Sequence, residues 1–137
     1  MSDPVTIILL GRPVPGARAA TKYRWLPKRQ VDALAALKVA ASEAMIDREM
    51  LDGPLCFYLT AEMPIPKSMS KRDQVRASVN EIRPTKKPDL KNLLWLAEDA
   101  LTSIVYRDDC LICAHRTQKV YGAQPKLVIC VQEMGYH

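Results

Sequence analysis

No apolar run in this 137-residue chain approaches the length that spans a bilayer. The N-terminus, MSDPVTIILLGRP, has neither the basic region nor the small-residue cleavage site of a secretory signal. Internal repeats and low-complexity tracts are absent too, and no composition shift divides the chain. Membrane insertion and secretion are thereby set aside, and the expectation is one cytoplasmic domain over residues 1–137 with no membrane partner. Apolar residues make up 48% and charged residues 26%, a globular composition and not a disordered one.

Thiol and imidazole metal chemistry is poorly supplied. The two histidines, His115 and His137, have no ligand spacing. Cys110 and Cys113 form a C-x-x-C near His115, but DCLICAHRTQKVYG has the pattern of a strand, where residues three apart face opposite sides. A zinc knuckle needs a turn there, and no Gly, Pro or Asn supplies one. Cys56, Cys110, Cys113 and Cys130 are therefore expected as buried or half-buried free thiols.

What the chain does have is concentrated charge. Eight basic residues against three acidic ones lie between Lys67 and Lys91, which accounts for the whole net charge of +5. Such a stretch points to a polyanionic partner, of which nucleic acid is the usual one, although a solvated loop carries lysines as well.

Local patterning gives the elements. Val5–Gly11 is β-rich and closes on Gly-Arg-Pro, and RPVPGARAATKYRWLP, with three prolines and Gly16, is expected to be an extended loop. Gln30–Met50 is Ala-rich without Gly or Pro, predicting a helix with Val31, Leu34, Ala41 and Met45 inward. Leu55–Met63 predicts a second strand, and a short helix is expected over Ser70–Ala77. Pro88 suits a first helical turn, where its missing N–H costs nothing. The following helix has Leu90, Leu93, Leu94, Ala97 and Leu101 on one face and Lys91, Trp95, Glu98 and Thr102 on the other. Strands over Cys110–Tyr121 and Lys126–Gln132 are expected to pair as a hairpin through a turn at Gly122. The order β-α-β-α-β-β implies an α+β, two-layer domain, a mixed β-sheet with helices on one face.

Asp89 at a helix start and Asp108 and Asp109 at a strand start supply hard oxygen ligands. Brought together, they would make a Mg²⁺ or Mn²⁺ site beside a basic surface, the arrangement phosphodiester hydrolysis needs. Residue types alone leave the plainer reading open, in which Asp89 serves the helix dipole and Asp108-Asp109 a turn. A helix antiparallel to the next strand would also hold Asp89 and Asp109 apart. Convergence then requires residues 100–107 to run back in extended form, at about 3.3 Å each.

The segments GRPVPGARAATKYRWLPKRQ, MPIPKSMSKRD, RPTKKPDLKNLL, EDALTSIVYRDDCLI and QKVYGAQPKLVI together resemble the RusA family of Holliday-junction resolvases. That family's helix start follows K-P-D-x-D-N-x-x-K, with D-A-L and a D-D pair further on. The resemblance implies a homodimeric, Mg²⁺- or Mn²⁺-dependent endodeoxyribonuclease acting on four-way junctions in DNA recombination and repair. It implies Asp89 and Asp109 as catalytic metal ligands with Asp108 assisting, Asn92 and Asp99 at other recurrent positions, and Lys119 at a recurrent basic one. Lys86, Lys87, Lys91, Lys119, Lys71 and Arg72 are then the expected DNA contacts.

Two departures matter. The family's second aspartate is Lys91 here and its catalytic lysine is Trp95, an ammonium and an indole at cation–π spacing where the family has a carboxylate and an ammonium. A +1 charge about 5 Å from a divalent ion, at an effective dielectric of ~20, is repelled by roughly 7 kcal/mol, against about 4 kcal/mol for millimolar Mg²⁺ binding. The metal site is expected to be weakened unless Glu98 or Asp99 serves as a shifted ligand. The alternative is a catalytically impaired branched-DNA-binding protein of the same fold, and a third reading gives the basic stretch another acidic partner. Trp95 is expected under a loop or in a dimer interface, with stacking on an unpaired base as its other role.

Overall fold

In the computed structural model, which describes residues 2–14 and 28–135, the chain runs β1 (Val5–Leu10), α1 (Lys28–Ala44), β2 (Leu55–Pro64), α2 (Lys71–Ser78), α3 (Leu90–Leu101), β3 (Ile112–Gly122) and β4 (Lys126–Glu133). The α+β class and the mixed sheet are as expected. Most of the expected N-terminal loop lies outside the described residues. The strand order is β1-β4-β2-β3, with β4 antiparallel to both β1 and β2, and β3 parallel to β2.

The expected β3–β4 hairpin does not form, because β2 lies between the two strands. β2 pairs Ala61 with Lys119 of β3 on one side and Leu59 with Ile129 of β4 on the other. Its pattern explains the insertion: six of its ten positions are buried, whereas β3 has none, so the most apolar strand takes an interior place and the polar one an edge. The chain then crosses the end of β2 in three residues, 123–125. A Cβ at Gly122 would meet the Glu62 side chain, which would have to swing aside.

Phe57, Leu59, Ile129 and Val131 from the sheet meet Leu37 and Ala41 of α1 and Leu93, Ala97 and Leu101 of α3 in one core. Each large apolar side chain buried there contributes about 1.5–3 kcal/mol. Helix α1 is shorter than expected at its C-terminal end, where Asp47 adopts φ 60 and turns the chain. Its inner face is also rotated: Leu37 and Ala41 are buried, Leu34 and Met45 half-buried, and Val31 is 46% exposed. Helix α3 buries Leu96 and Ala100 as well as Leu93, Ala97 and Leu101, so its apolar seam is broader than a single stripe.

Three local expectations are corrected at the ends of α3 and β3. Pro88 precedes the helix cap, Asp89, and is not in the first turn. A 3₁₀ turn over Asp109–Leu111 precedes β3, so Cys110 is not on the strand. Cys110 and Cys113 are both exposed; Cys56 is buried and Cys130 half-buried.

Candidate functional site

Helix α3 carries the candidate residues, and its two ends differ in chemistry. At its start Asp89 is the cap residue, yet its side chain makes no cap hydrogen bond. Both carboxylate oxygens accept instead from Lys87 Nζ, at 3.0 and 3.1 Å. That bond holds the Asp89 carboxyl below its ordinary range, and the charges of Lys87, Lys91 and Lys119 act in the same direction. Lys86, Lys87 and Lys91 are exposed here, and Lys71 and Arg72 are exposed on the first turn of α2. Ser70 caps α2, accepting from Asp73 N at 3.1 Å. Gln118 of β3 accepts from Arg83 and donates to Thr60, tying the segment after α2 to the sheet.

Lys119 is placed differently from the other cations. From β3 its Nζ donates to Lys86 O at 2.8 Å and Pro88 O at 3.1 Å. Two of its three donors thus fasten the approach to α3 onto the sheet, and the side chain is half-buried in doing so.

At the other end the field is acidic. Asp108 caps the 3₁₀ turn by accepting from Cys110 N at 3.0 Å, the main cause of its lowered pKa. Asp109 is shifted up, first by burial and then by its neighbours Asp108 and Asp99. Between the ends, His115 Nε2 of β3 lies 2.5 Å from Glu98 Oε1 and edge-on to the Phe57 ring. The Glu98 side chain is only 13% exposed, and its backbone oxygen accepts from Thr102 Oγ1 and from the buried Tyr106 hydroxyl, each at 2.8 Å. Glu98 is therefore engaged and is no replacement ligand for the Asp89 end.

These contacts fix the direction of α3 against β3. Lys119 meets the helix start, His115 its third turn, and the turn before β3 its end, so the two run antiparallel. Asp89 and Asp99 are separated by about 15 Å of helix at 1.5 Å per residue, and it is the charge of Asp99 that acts on Asp109. One protomer does not bring Asp89 and Asp109 together. The extended return over residues 100–107 is absent: Ser103 takes φ 70, Ser103 N bonds Tyr106 O, and Leu51 N bonds Val105 O, which folds that stretch into a turn against the core. Among the described residues no group of three or more His, Cys, Asp or Glu is placed to hold a metal ion. Within one protomer the described donors are thus not gathered around one ion. Lys91 is exposed on the first turn of α3. Trp95, one turn along, is 42% exposed.

Sequence reasoning missed Arg12 and Arg29. With Lys87, Pro13, Val14 and Pro88 they line a cavity of about 520 Å³ next to Asp89. Nothing local links them; the end of β1, the start of α1 and the approach to α3 meet only once the sheet is assembled.

The family model described as "Endodeoxyribonuclease RusA" matches residues 10–132. The chain is also similar to the "Uncharacterized protein YqaN" of Bacillus subtilis (strain 168), with 30% identity over 88 residues, covering 63% of this chain and 62% of that protein. The match thus spans less than two thirds of that relative's length.

Proposed function

The chain belongs to the RusA endodeoxyribonuclease family, and from that premise we propose that it is a cytoplasmic, divalent-metal-dependent endodeoxyribonuclease that acts on four-way DNA junctions as a homodimer. The observation that carries this reading is the division of α3 into a cationic start and an acidic end. Two copies related by a two-fold axis, with their α3 helices antiparallel, would set Asp89 of each against Asp109 of the partner subunit. Opposite fields then face each other at both ends, and two equivalent sites match the two-fold symmetry of a four-way junction.

In that arrangement Asp89 and Asp109, with Asp108, would hold Mg²⁺ or Mn²⁺, which when bound supplies Lewis acidity at phosphorus and a more acidic water. The chain's own work is positional and electrostatic. Lys86, Lys87, Lys91, Lys71 and Arg72 neutralise backbone phosphates, while Lys119 fixes the segment that presents Asp89. Among the described residues no helix is long and apolar enough to cross a membrane.

A second reading, junction binding without efficient cutting, is favoured by one observation. The Asp89 carboxylate is occupied by Lys87, and Lys91 stands where the family's second aspartate would be. Such a pocket suits phosphate better than a cation.

Incubation of a synthetic four-way junction with Mg²⁺ or Mn²⁺ separates the readings. Symmetric nicking that Asp89→Asn abolishes supports the nuclease, and junction-selective binding without nicking supports the second reading. No preference for a junction over linear duplex defeats both. Mixing Asp89→Asn with Asp109→Asn protomers tests the shared site, because a mixed dimer keeps one intact pair only when the pair is formed between subunits.

A further inference from the structure

Three cations from three separate stretches of chain converge on the cavity beside Asp89, and among the described residues that line it none is a carboxylate. Arg12 and Arg29 are exposed, and neither guanidinium forms an ion pair with a described residue; the neighbouring Lys28 is the one that pairs with Asp32. Pro13 and Pro88 bring no N–H to the wall, so recognition falls to the charged groups. A guanidinium offers a planar fork that matches phosphate oxygens, and two of them with an ammonium form a strong anion site. The volume, about 520 Å³, is in the range of small-ligand sites and exceeds the needs of a phosphate group alone.

We propose that Arg12, Arg29 and Lys87 bind one backbone phosphate, with its attached sugar, of the DNA that crosses Asp89, and that this phosphate draws Lys87 off the Asp89 carboxylate. The inference rests on the junction-binding reading above and adds residues and a sequence of events to it. Lys87 is common to both places: it lines the cavity and holds both oxygens of Asp89. Its ion pair is exposed, 82% on the lysine side and 39% on the aspartate side, so water screens it and exchange is easy. A phosphate already held by two guanidiniums gives the ammonium a better-placed counter-charge. Asp89 is then uncovered only when DNA is in position, which ties exposure of the carboxylate to substrate.

The test is the salt dependence of junction binding, measured without divalent metal by fluorescence anisotropy on a labelled four-way junction. Each phosphate contact contributes about 0.9 to the slope of log K against log salt. Arg12→Gln with Arg29→Gln is expected to lower that slope by up to about 0.9 per protomer, the share of the single phosphate they hold, and Lys87→Gln by a smaller part of it, although Lys87 is ion-paired in the free protein. Lys38→Gln, on the exposed side of α1 away from the cavity, should bind as the parent does. Arg12→Lys with Arg29→Lys keeps the charges and should retain the slope while losing affinity, which guards against a folding defect in the glutamine pair. An unchanged slope in the folded glutamine pair overturns the phosphate site. An unchanged slope in Lys87→Gln overturns the transfer of Lys87. A parent protein that binds without salt dependence defeats the junction reading itself, a distinguishable result.

Discussion

Lys119→Met separates a DNA contact from a structural anchor. The resemblance makes Lys119 a recurrent basic position, yet its ammonium reaches Lys86 O at 2.8 Å and Pro88 O at 3.1 Å. Hydrogen bonds to a charged group contribute about 1.5–3 kcal/mol each when sheltered. Lys86 is exposed and water replaces part of what is lost, so the pair is worth about 1–3 kcal/mol in total. At about 4 °C per kcal/mol for a chain of this size, the variant should melt about 4–12 °C lower than the parent. Its junction affinity should drop through loosening of the 86–88 segment, while the slope of affinity against salt changes by much less than the 0.9 or so of a phosphate contact. Thermal unfolding and anisotropy on the same preparations measure both. A full loss of one contact's slope with an unchanged melting temperature would show that Lys119 grips phosphate, and the anchoring account would be wrong.

The depressed Asp89 pKa has a definite sign. Stability from its ionised form is complete above the unfolded value and is lost as pH falls through the lower folded one, so acidification below about pH 4 should remove it. Lys87→Gln should flatten that part of the melting-temperature profile, and the difference from the parent isolates Asp89 from Asp108 and Glu133, which are also shifted down. Asp109 has the opposite sign: its contribution falls as pH rises from the ordinary carboxylate value toward the raised one. Asp109→Asn should therefore be slightly more stable than the parent at pH 7, by less than about 1 kcal/mol, yet unable to cut a junction; a loss of stability at pH 7 would contradict the repulsion. Lys91→Asp combined with Trp95→Lys should raise metal-dependent cutting roughly tenfold or more, and unchanged cutting would show that these two positions do not limit activity.

Periodic signals were legible where they were local. The β-rich run Val5–Gly11 with its closing turn, and the α3 face of Leu93, Ala97 and Leu101, identified their elements, because side-chain shape and one-sided burial leave their mark within a few residues. Boundaries were less legible: a single residue at positive φ, Asp47, ends the α1 region, and nothing in an Ala-rich run announces it. Strand pairing was illegible in the sequence. Two strands joined by three residues look like a hairpin, and only the competition to bury β2 on both sides overrules that.

The candidate site divides along the same line. Residue types and their order determined that this chain carries an aspartate at a helix start, an aspartate pair before a strand and a run of cations between β2 and α3, because those are chemical identities that folding cannot alter. Tertiary structure alone decided that Asp89 and Asp109 occupy opposite ends of α3, that Lys119 serves two carbonyls, and that Arg12 and Arg29 join Lys87. Distances between groups far apart in the chain follow from how a rigid helix lies across a sheet, and sequence spacing carries no measure of that.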